Sequence, residues 1–458
     1  MTELRTIQDF LNRPNSASWG SELIEALAGR HHNDGLCALI SLADPDQAFV
    51  RTGVLAGLPI LVKDNIDTKD LPTTVGSLAL SLDPPPRDAT VIAKLRAAGA
   101  NIVGKTNLSE WANFRGFASV SGWSGRGGIT RNPYDPARST GGSSSGSAVA
   151  VAAGYVPVAI GTETDGSILC PAAMNGVVGY KSTAGAIDRA GVAPLSRSQD
   201  SVGIFANRVA DARQIAHLIV DPPHQALRPN FVIVDSMLAQ YNPRVIANFE
   251  EVIALLGKNG YAISRLSAVE EGTLEPDEDA ELIVLAYEMT EDLDRYLRDR
   301  QDPLTKSLAE LVAFNAAHPE EELPLFGQEL LTMGLSHPWD EVTYRQALTT
   351  NREQTRTGLQ AAMSTADADI ILAPTMGAAW LIDTINGDPS IPGSWSAAAV
   401  AGYPSLTLPI GLLGHLPIGM TMISQAHTDL ALLAQAQAIQ ETLERNRGVI
   451  APPHPESM

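Results

Sequence analysis

The tightest constraint on the fold lies between residues 140 and 168. Two Gly/Ser loops stand there: Thr140-Gly141-Gly142-Ser143-Ser144-Ser145-Gly146-Ser147 and Gly161-Thr162-Glu163-Thr164-Asp165-Gly166-Ser167-Ile168. Between them run a small-residue segment, 148–153, that reads as a helix, and an apolar one, 156–160, that reads as a strand. Glycines let a backbone adopt positive φ and approach other atoms closely. Consecutive N–H groups in such a loop form an anion-binding nest, and an oxyanion is one anion that suits it. Helices and strands joined by loops that carry polar chemistry belong to α/β architecture.

The rest of the chain fits around this centre. Residues 1–50 read as an N-terminal helical arm, with Thr6 before one apolar-periodic run and a second run over 21–28. Residues 51–216 read as the core. In it, Leu58-Pro59-Ile60-Leu61-Val62 is a buried strand, 89–98 a helix stopped by Gly99, and 101–103 a further strand. Residues 115–147 look irregular. From 217 to 365 the chain turns acidic and helical, notably over 278–300 and 341–363, with one clear strand at 231–234. That stretch reads as an inserted cap. Residues 366–458 return to the core, with strands over 369–373, 405–410 and 418–423, a helix over 429–445 and a frayed Pro-rich end at 452–455.

Charge and cysteines bound the partners. The chain carries 32 Lys and Arg against 52 Asp and Glu, a net charge of −20. Such a field repels phosphate backbones, so nucleic acid is not an expected partner. Two cysteines, Cys37 and Cys170, are too few for a disulfide scaffold and read as reduced, buried thiols. No apolar run reaches the roughly 18 residues of a membrane span, and no basic-then-apolar leader opens the chain. A cytoplasmic enzyme without membrane attachment is the expectation. The histidines are scattered apart from His31-His32, so neither a metal nor another cofactor is implied.

A nucleophilic serine needs a base. No histidine occurs between His32 and His217, whereas Lys63 directly follows a buried strand. Desolvation favours its neutral amine, the form a lysine base requires. A lysine in this position is more commonly a solvated charge, and a Gly/Ser loop is more commonly only a loop. Two other motifs compete. Gly142-Ser143-Ser144-Ser145-Gly146 matches the G-x-S-x-G elbow, but the turn sequence Asn132-Pro133-Tyr134-Asp135-Pro136 stands where that elbow needs a strand. A phosphate-binding loop would need Gly-Lys-Ser/Thr, which is missing.

Taken together, these residues resemble the amidase signature family. The matching motifs are Gly57 through Asp64, Gly141-Gly142-Ser143-Ser144, Gly161 through Ser167 and Gly176-Val177-Val178-Gly179-Tyr180-Lys181. Ser198-Gln199-Asp200-Ser201-Val202-Gly203, Gly402-Tyr403-Pro404-Ser405 and Leu416-Pro417-Ile418-Gly419 fit as well. In wording, 162–172 with 111–116 and 121–124 looks most like the bacterial peptide-amidase branch. The resemblance implies an α/β fold: one domain with a mixed sheet, helices on both faces and a helical insert over the active site.

It also implies a catalytic set of Lys63, Ser143 and Ser167. Ser167 would be the nucleophile, Ser143 a proton relay after a cis peptide bond, and Lys63 the base. The backbone N–H groups of Thr164, Asp165, Gly166 and Ser167 would form the oxyanion hole. Phe114, Gly116, Ser144, Ile168 and Leu169 are the candidate substrate pocket. Relatives commonly carry Arg where Leu169 stands and Gly where Asp165 stands; the first change argues for a neutral or apolar acyl group. The expected activity is hydrolysis of a small-molecule or peptide amide through an acyl-enzyme. Carbamate hydrolysis, a glutaminase subunit of a tRNA-dependent amidotransferase and an inactive scaffold are the alternatives. The sequence carries no signal for an oligomeric state.

Overall fold

The apolar runs pair into one sheet. The computed structural model describes residues 4–13, 18–46, 49, 51–222, 225–300, 304–336 and 338–448; the Pro-rich end lies outside them. In chain order the strands begin with β1 (Leu39–Leu42), β2 (Pro59–Lys63), β3 (Asn101–Thr106) and a short hairpin, β4 (Trp123–Ser124) and β5 (Gly128–Ile129). There follow β6 (Val158–Glu163), β7 (Val178–Lys181), β8 (Ser201–Ala206), β9 (Asn230–Val234) and β10 (Ala262–Leu266). The last are β11 (Ile370–Pro374), β12 (Ser405–Leu413) and β13 (Leu416–Ser424). Eleven of them form a mixed sheet in the order β1-β3-β2-β6-β8-β7-β12-β13-β11-β9-β10. β2 lies parallel to both β3 and β6, while β8 runs antiparallel to β6 and β7.

Helices cover both faces. In chain order they begin with α1 (Ile7–Leu11), α2 (Trp19–Asn33), α3 (Thr90–Ala97), α4 (Ser145–Ala152) and α5 (Leu169–Met174). Next come α6 (Val209–Ile219), α7 (Pro243–Lys258), α8 (Glu278–Arg300), α9 (Leu308–Ala317) and α10 (Pro319–Glu322). α11 (Glu329–Ser336), α12 (Glu341–Thr365), α13 (Ser396–Ala401) and α14 (Asp429–Arg447) complete the set. Alternate residues of a strand point to opposite faces. Accordingly Phe231 and Ile233 join one core with Phe249 and Val252 of α7, while Val232 and Val234 join another with Leu359 of α12 and Ala398 of α13.

Three readings need correction. The N-terminal arm is not wholly helical, because Leu39–Leu42 pairs with the edge of β3. The 217–365 stretch is not a purely helical layer. Its β9, α7 and β10 extend the main sheet by two parallel strands, and β10 was hidden because its edge position leaves it mostly exposed. β6 starts later and runs on through Thr162 and Glu163, since Ser201 and Val202 of β8 pair with these two polar residues.

The helical part of the insert grips the core through a buried ion cluster. Leu285, Met289, Leu293 and Leu331 pack with Val75, Trp111 and Phe114. Beside them lies Arg115, with no exposed surface. Its guanidinium donates to Glu110 Oε1 at 2.7 Å and to the Phe326 carbonyl at 3.1 Å. It also sits 4.0 Å from the Phe326 ring centroid and 4.6 Å from that of Trp123. Burial pushes the Glu110 carboxyl up to about 8 despite the pull of Arg115. Removing Arg115 leaves its buried acceptors, the Glu110 carboxyl and the Phe326 carbonyl, without their donor, and a buried polar group stranded in this way costs about 1–3 kcal/mol. Arg115→Met is therefore expected to lower unfolding stability by that amount. Arg115→Met combined with Glu110→Gln should recover part of the loss. Urea denaturation of the two variants checks this, and equal losses would show that Glu110 is not the stranded group.

Candidate active site

The pairing of β2 with β6 sets the geometry. Lys63 closes β2 and, like Ser143, has no exposed surface. Its Nζ lies 2.8 Å from Ser143 Oγ, 2.9 Å from Thr162 Oγ1 and 3.3 Å from the Thr162 carbonyl. A neutral amine has two N–H groups and one lone pair. The two Thr162 oxygens accept the former, and the Ser143 hydroxyl can donate to the latter. Burial lowers the Lys63 pKa to about 7, against the opposing pull of Asp200 and then Glu163. Asn65 Nδ2 donates to the same Thr162 hydroxyl at 3.0 Å and fixes it.

The first loop is held by close packing. The Gly142–Ser143 peptide bond is cis, as the resemblance implies. A Cβ on Gly142 would come within 2.2 Å of Ser109 Oγ, and one on Gly141 within 2.6 Å of Cys170 Sγ. Gly141 also has φ +64°, where a side chain is strained. The Ser143 carbonyl accepts from Ser109 N–H at 3.0 Å.

The second loop closes on Glu163. That buried carboxylate accepts from Ile168 N–H at 2.7 Å and Leu169 N–H at 3.0 Å, and it also faces the Gly166 N–H. Burial raises the Glu163 pKa, and Lys181 is the largest opposing influence. Gly166 is thus drawn inward, whereas the N–H groups of Thr164, Asp165 and Ser167 donate to no acceptor among the described residues. Thr164 Oγ1 donates to Asp200 Oδ1 at 2.6 Å. Ser144 N–H bonds the Ser167 carbonyl at 3.2 Å and so ties the loops together. Ser167 is 6% exposed, and among the described residues its hydroxyl makes no hydrogen bond, to Ser143 included.

The candidate substrate pocket is not assembled as expected. Ser144, Ile168 and Leu169 have no exposed surface. Ser144 Oγ donates to the Thr162 carbonyl at 2.9 Å, and the other two join the main core because the chain turns into α5 directly after Ser167. Phe114 is buried under the insert, and a Cβ on Gly116 would come within 2.6 Å of the Gly327 carbonyl. A cavity of about 600 Å³ instead borders the second loop at Asp165, between Trp395, Tyr241 and Glu281 of the insert. Thr162, Asp200 and Ser109, which hold the site together, were missed as supporting residues. Thr162 and Asp200 lay inside recognised motifs. Cys37 is half-buried and Cys170 buried, both as free thiols.

A buried lysine with its pKa lowered to about 7 against one serine, and a second serine in a loop with unpaired N–H groups, is an arrangement suited to serine-hydrolase chemistry. Comparison with known proteins narrows the class. The sequence model of the family named Amidase matches residues 38–433. A probable amidase of Arabidopsis thaliana is 33% identical over 85% of this chain and 77% of its own length. A glutamyl-tRNA(Gln) amidotransferase subunit from Symbiobacterium thermophilum is 34% identical over 86% and 84%. The solved peptide amidase of Stenotrophomonas maltophilia superposes with a TM-score of 0.85, at 38% identity over 95% of both chains. The chain belongs to the amidase family and is a serine amidohydrolase of the amidase signature fold. Among the described residues no helix is long and apolar enough to cross a membrane.

The lysine environment makes a direct prediction. Lys63 should titrate near pH 7 while exposed lysines titrate near their usual value of about 10.4. Lysine-selective isotope labelling with NMR titration checks this, with Lys63→Met assigning the signal. A signal that stays protonated up to pH 9 would contradict the burial argument.

Proposed function

We propose that the chain hydrolyses C-terminal peptide amides and related small amides through an acyl-enzyme on Ser167. The observation that carries the reading is the buried Lys63 amine, 2.8 Å from Ser143 Oγ with its pKa brought down to about 7. The names of the similar solved structures, peptide amidases at 38–39% identity, support the substrate class.

The steps follow from the proton inventory. Neutral Lys63 takes the Ser143 proton as Ser143 takes that of Ser167, and Ser167 Oγ attacks the amide carbon. Hydrogen bonds between catalytic groups are often long before substrate arrives and tighten in the complex, which accommodates the unlinked Ser143 and Ser167 hydroxyls. The carbonyl oxygen gains charge, and the N–H groups of Thr164, Asp165 and Ser167 are free to receive it. Each such donor is worth roughly 10²–10³ in rate. Collapse breaks the C–N bond while Ser143 protonates the leaving nitrogen and recovers a proton from Lys63. Water then attacks the ester, giving its proton through Ser143 to Lys63; collapse breaks the C–O bond to Ser167 and releases the acid as Ser143 returns a proton to Ser167 Oγ and recovers one from Lys63, which regenerates both.

Two results are expected. Ser167→Ala and Lys63→Ala should each lower kcat by at least about 10³-fold. Mass spectrometry after rapid quenching should place the acyl group on Ser167, and labelling at Ser144 instead would sink the assignment. Second, kcat/KM should rise about tenfold per pH unit below pH 7 and level off above it, because protonated Lys63 cannot act as base. A substrate panel of peptide amide, anilide, aryl carbamate and free glutamine decides the acyl class. Hydrolysis of carbamate or glutamine in preference to peptide amide would overturn the proposed substrate.

A further inference from the structure

A second polar pocket lies outside the site described above. About 270 Å³ in volume, it is lined by Arg189, Arg197, Arg352 and Arg356 with Ser198 and His427. No carboxylate stands on its wall, although the chain as a whole carries a charge of −20. Its walls come from three separate parts of the chain: 183–198, one face of α12, and the turns at 402 and 426–427.

The guanidiniums are anchored but not neutralised. Arg197 is the exception, 3.1 Å from Asp292 and 2.9 Å from Glu291. Among the described residues, Arg189, Arg352 and Arg356 have no carboxylate at salt-bridge distance. They are held by carbonyls instead. Arg189 donates to Ser196 O at 3.2 Å, Arg352 to Ser198 O at 2.8 Å and Arg356 to Ala401 O at 2.8 Å. Each guanidinium has five N–H donors, so these contacts leave donors over. Arg352 and Arg356 also stand one turn apart on α12, where like charges repel. Burial, and next the charge of Arg356, lower the Arg352 pKa.

Asp188 and Asp200 act on Arg189 from a distance, and the counter-charge that acts on Arg352 is Glu288, buried behind the wall. It already accepts from Ser196 Oγ at 2.6 Å, Ser198 N–H at 3.0 Å and Tyr344 OH at 2.7 Å. Capping of the α13 C-terminus accounts for the contacts of Arg352 and Arg356 to Val400 and Ala401. It does not account for Arg189, which faces the same space without a carboxylate at salt-bridge distance among the described residues. His427, on the rim, holds φ 65°, a left-handed conformation uncommon outside glycine.

We propose that this pocket binds a small oxyanion, the carboxylate or phosphate group of a small molecule. Planar guanidinium forks match both groups by paired, charge-assisted hydrogen bonds. The inference rests on this pocket alone and stands apart from the reading of the catalytic residues.

Isothermal titration of the full chain with inorganic phosphate and, separately, citrate tests it, with chloride at matched ionic strength as control. Saturable binding of at least one probe is expected. Affinity should fall about tenfold or more in Arg352→Gln and in Arg189→Gln. Arg189 anchors only a loop carbonyl, so its variant serves if Arg352→Gln fails to fold by circular dichroism. Preference for phosphate or for citrate identifies the ligand's acidic group. Binding that neither variant weakens, or no saturable binding of either probe up to about 10 mM, overturns the proposal.

Discussion

Everything in the site depends on burying a cation-forming side chain inside the sheet. β2 has partners on both sides, β3 and β6, so Lys63 leaves it into protein rather than water. Burial disfavours the ammonium, while Asp200 and Glu163 favour it. The balance brings the amine close to neutrality, where it can gain and lose a proton with little driving force either way. The same pairing places Thr162 beside Lys63, so the acceptors for the neutral amine come with the strand register. Sheet topology and proton chemistry are one arrangement here.

The central strands were legible because strands covered on both faces are continuously apolar. Runs such as 58–62 and 101–103 need no tertiary context to be recognised. β7 and β8, with Gly179 and Gly203 in them, lack that signal and are defined by pairing. A Cβ on Gly203 would come within 2.1 Å of the Tyr180 carbonyl. Thr162 and Glu163 looked like loop because they are polar; β8 makes them strand.

The chemistry of the site was more legible than its walls. Lys63, Ser143 and Ser167 lie in dense local motifs whose glycines restrict what the loops can do. A pocket depends instead on which way each side chain faces. Ile168 and Leu169 adjoin Ser167 in sequence, but α5 begins there and turns both into the core. Adjacency along a loop is no guide to facing once a helix starts.

Asp165 shows how far the insert reaches into that loop. A carboxylate where relatives commonly have glycine needs its own partners, and they come from outside the signature core. Ser396 donates to Asp165 Oδ1 at 2.9 Å, from the start of α13. Glu281 of α8 stands beside the same carboxyl, and burial, then this neighbour, raise the Asp165 pKa well above its usual value. Gln199 Nε2 in turn donates to Glu281 Oε1 at 2.6 Å. The Asp165 N–H is also one of the free donors available to an oxyanion. The insert therefore does more than roof the cavity. Through Glu281 it bears on the backbone that we propose holds the developing charge, so on that reading a change in α8 alters rate as well as substrate fit.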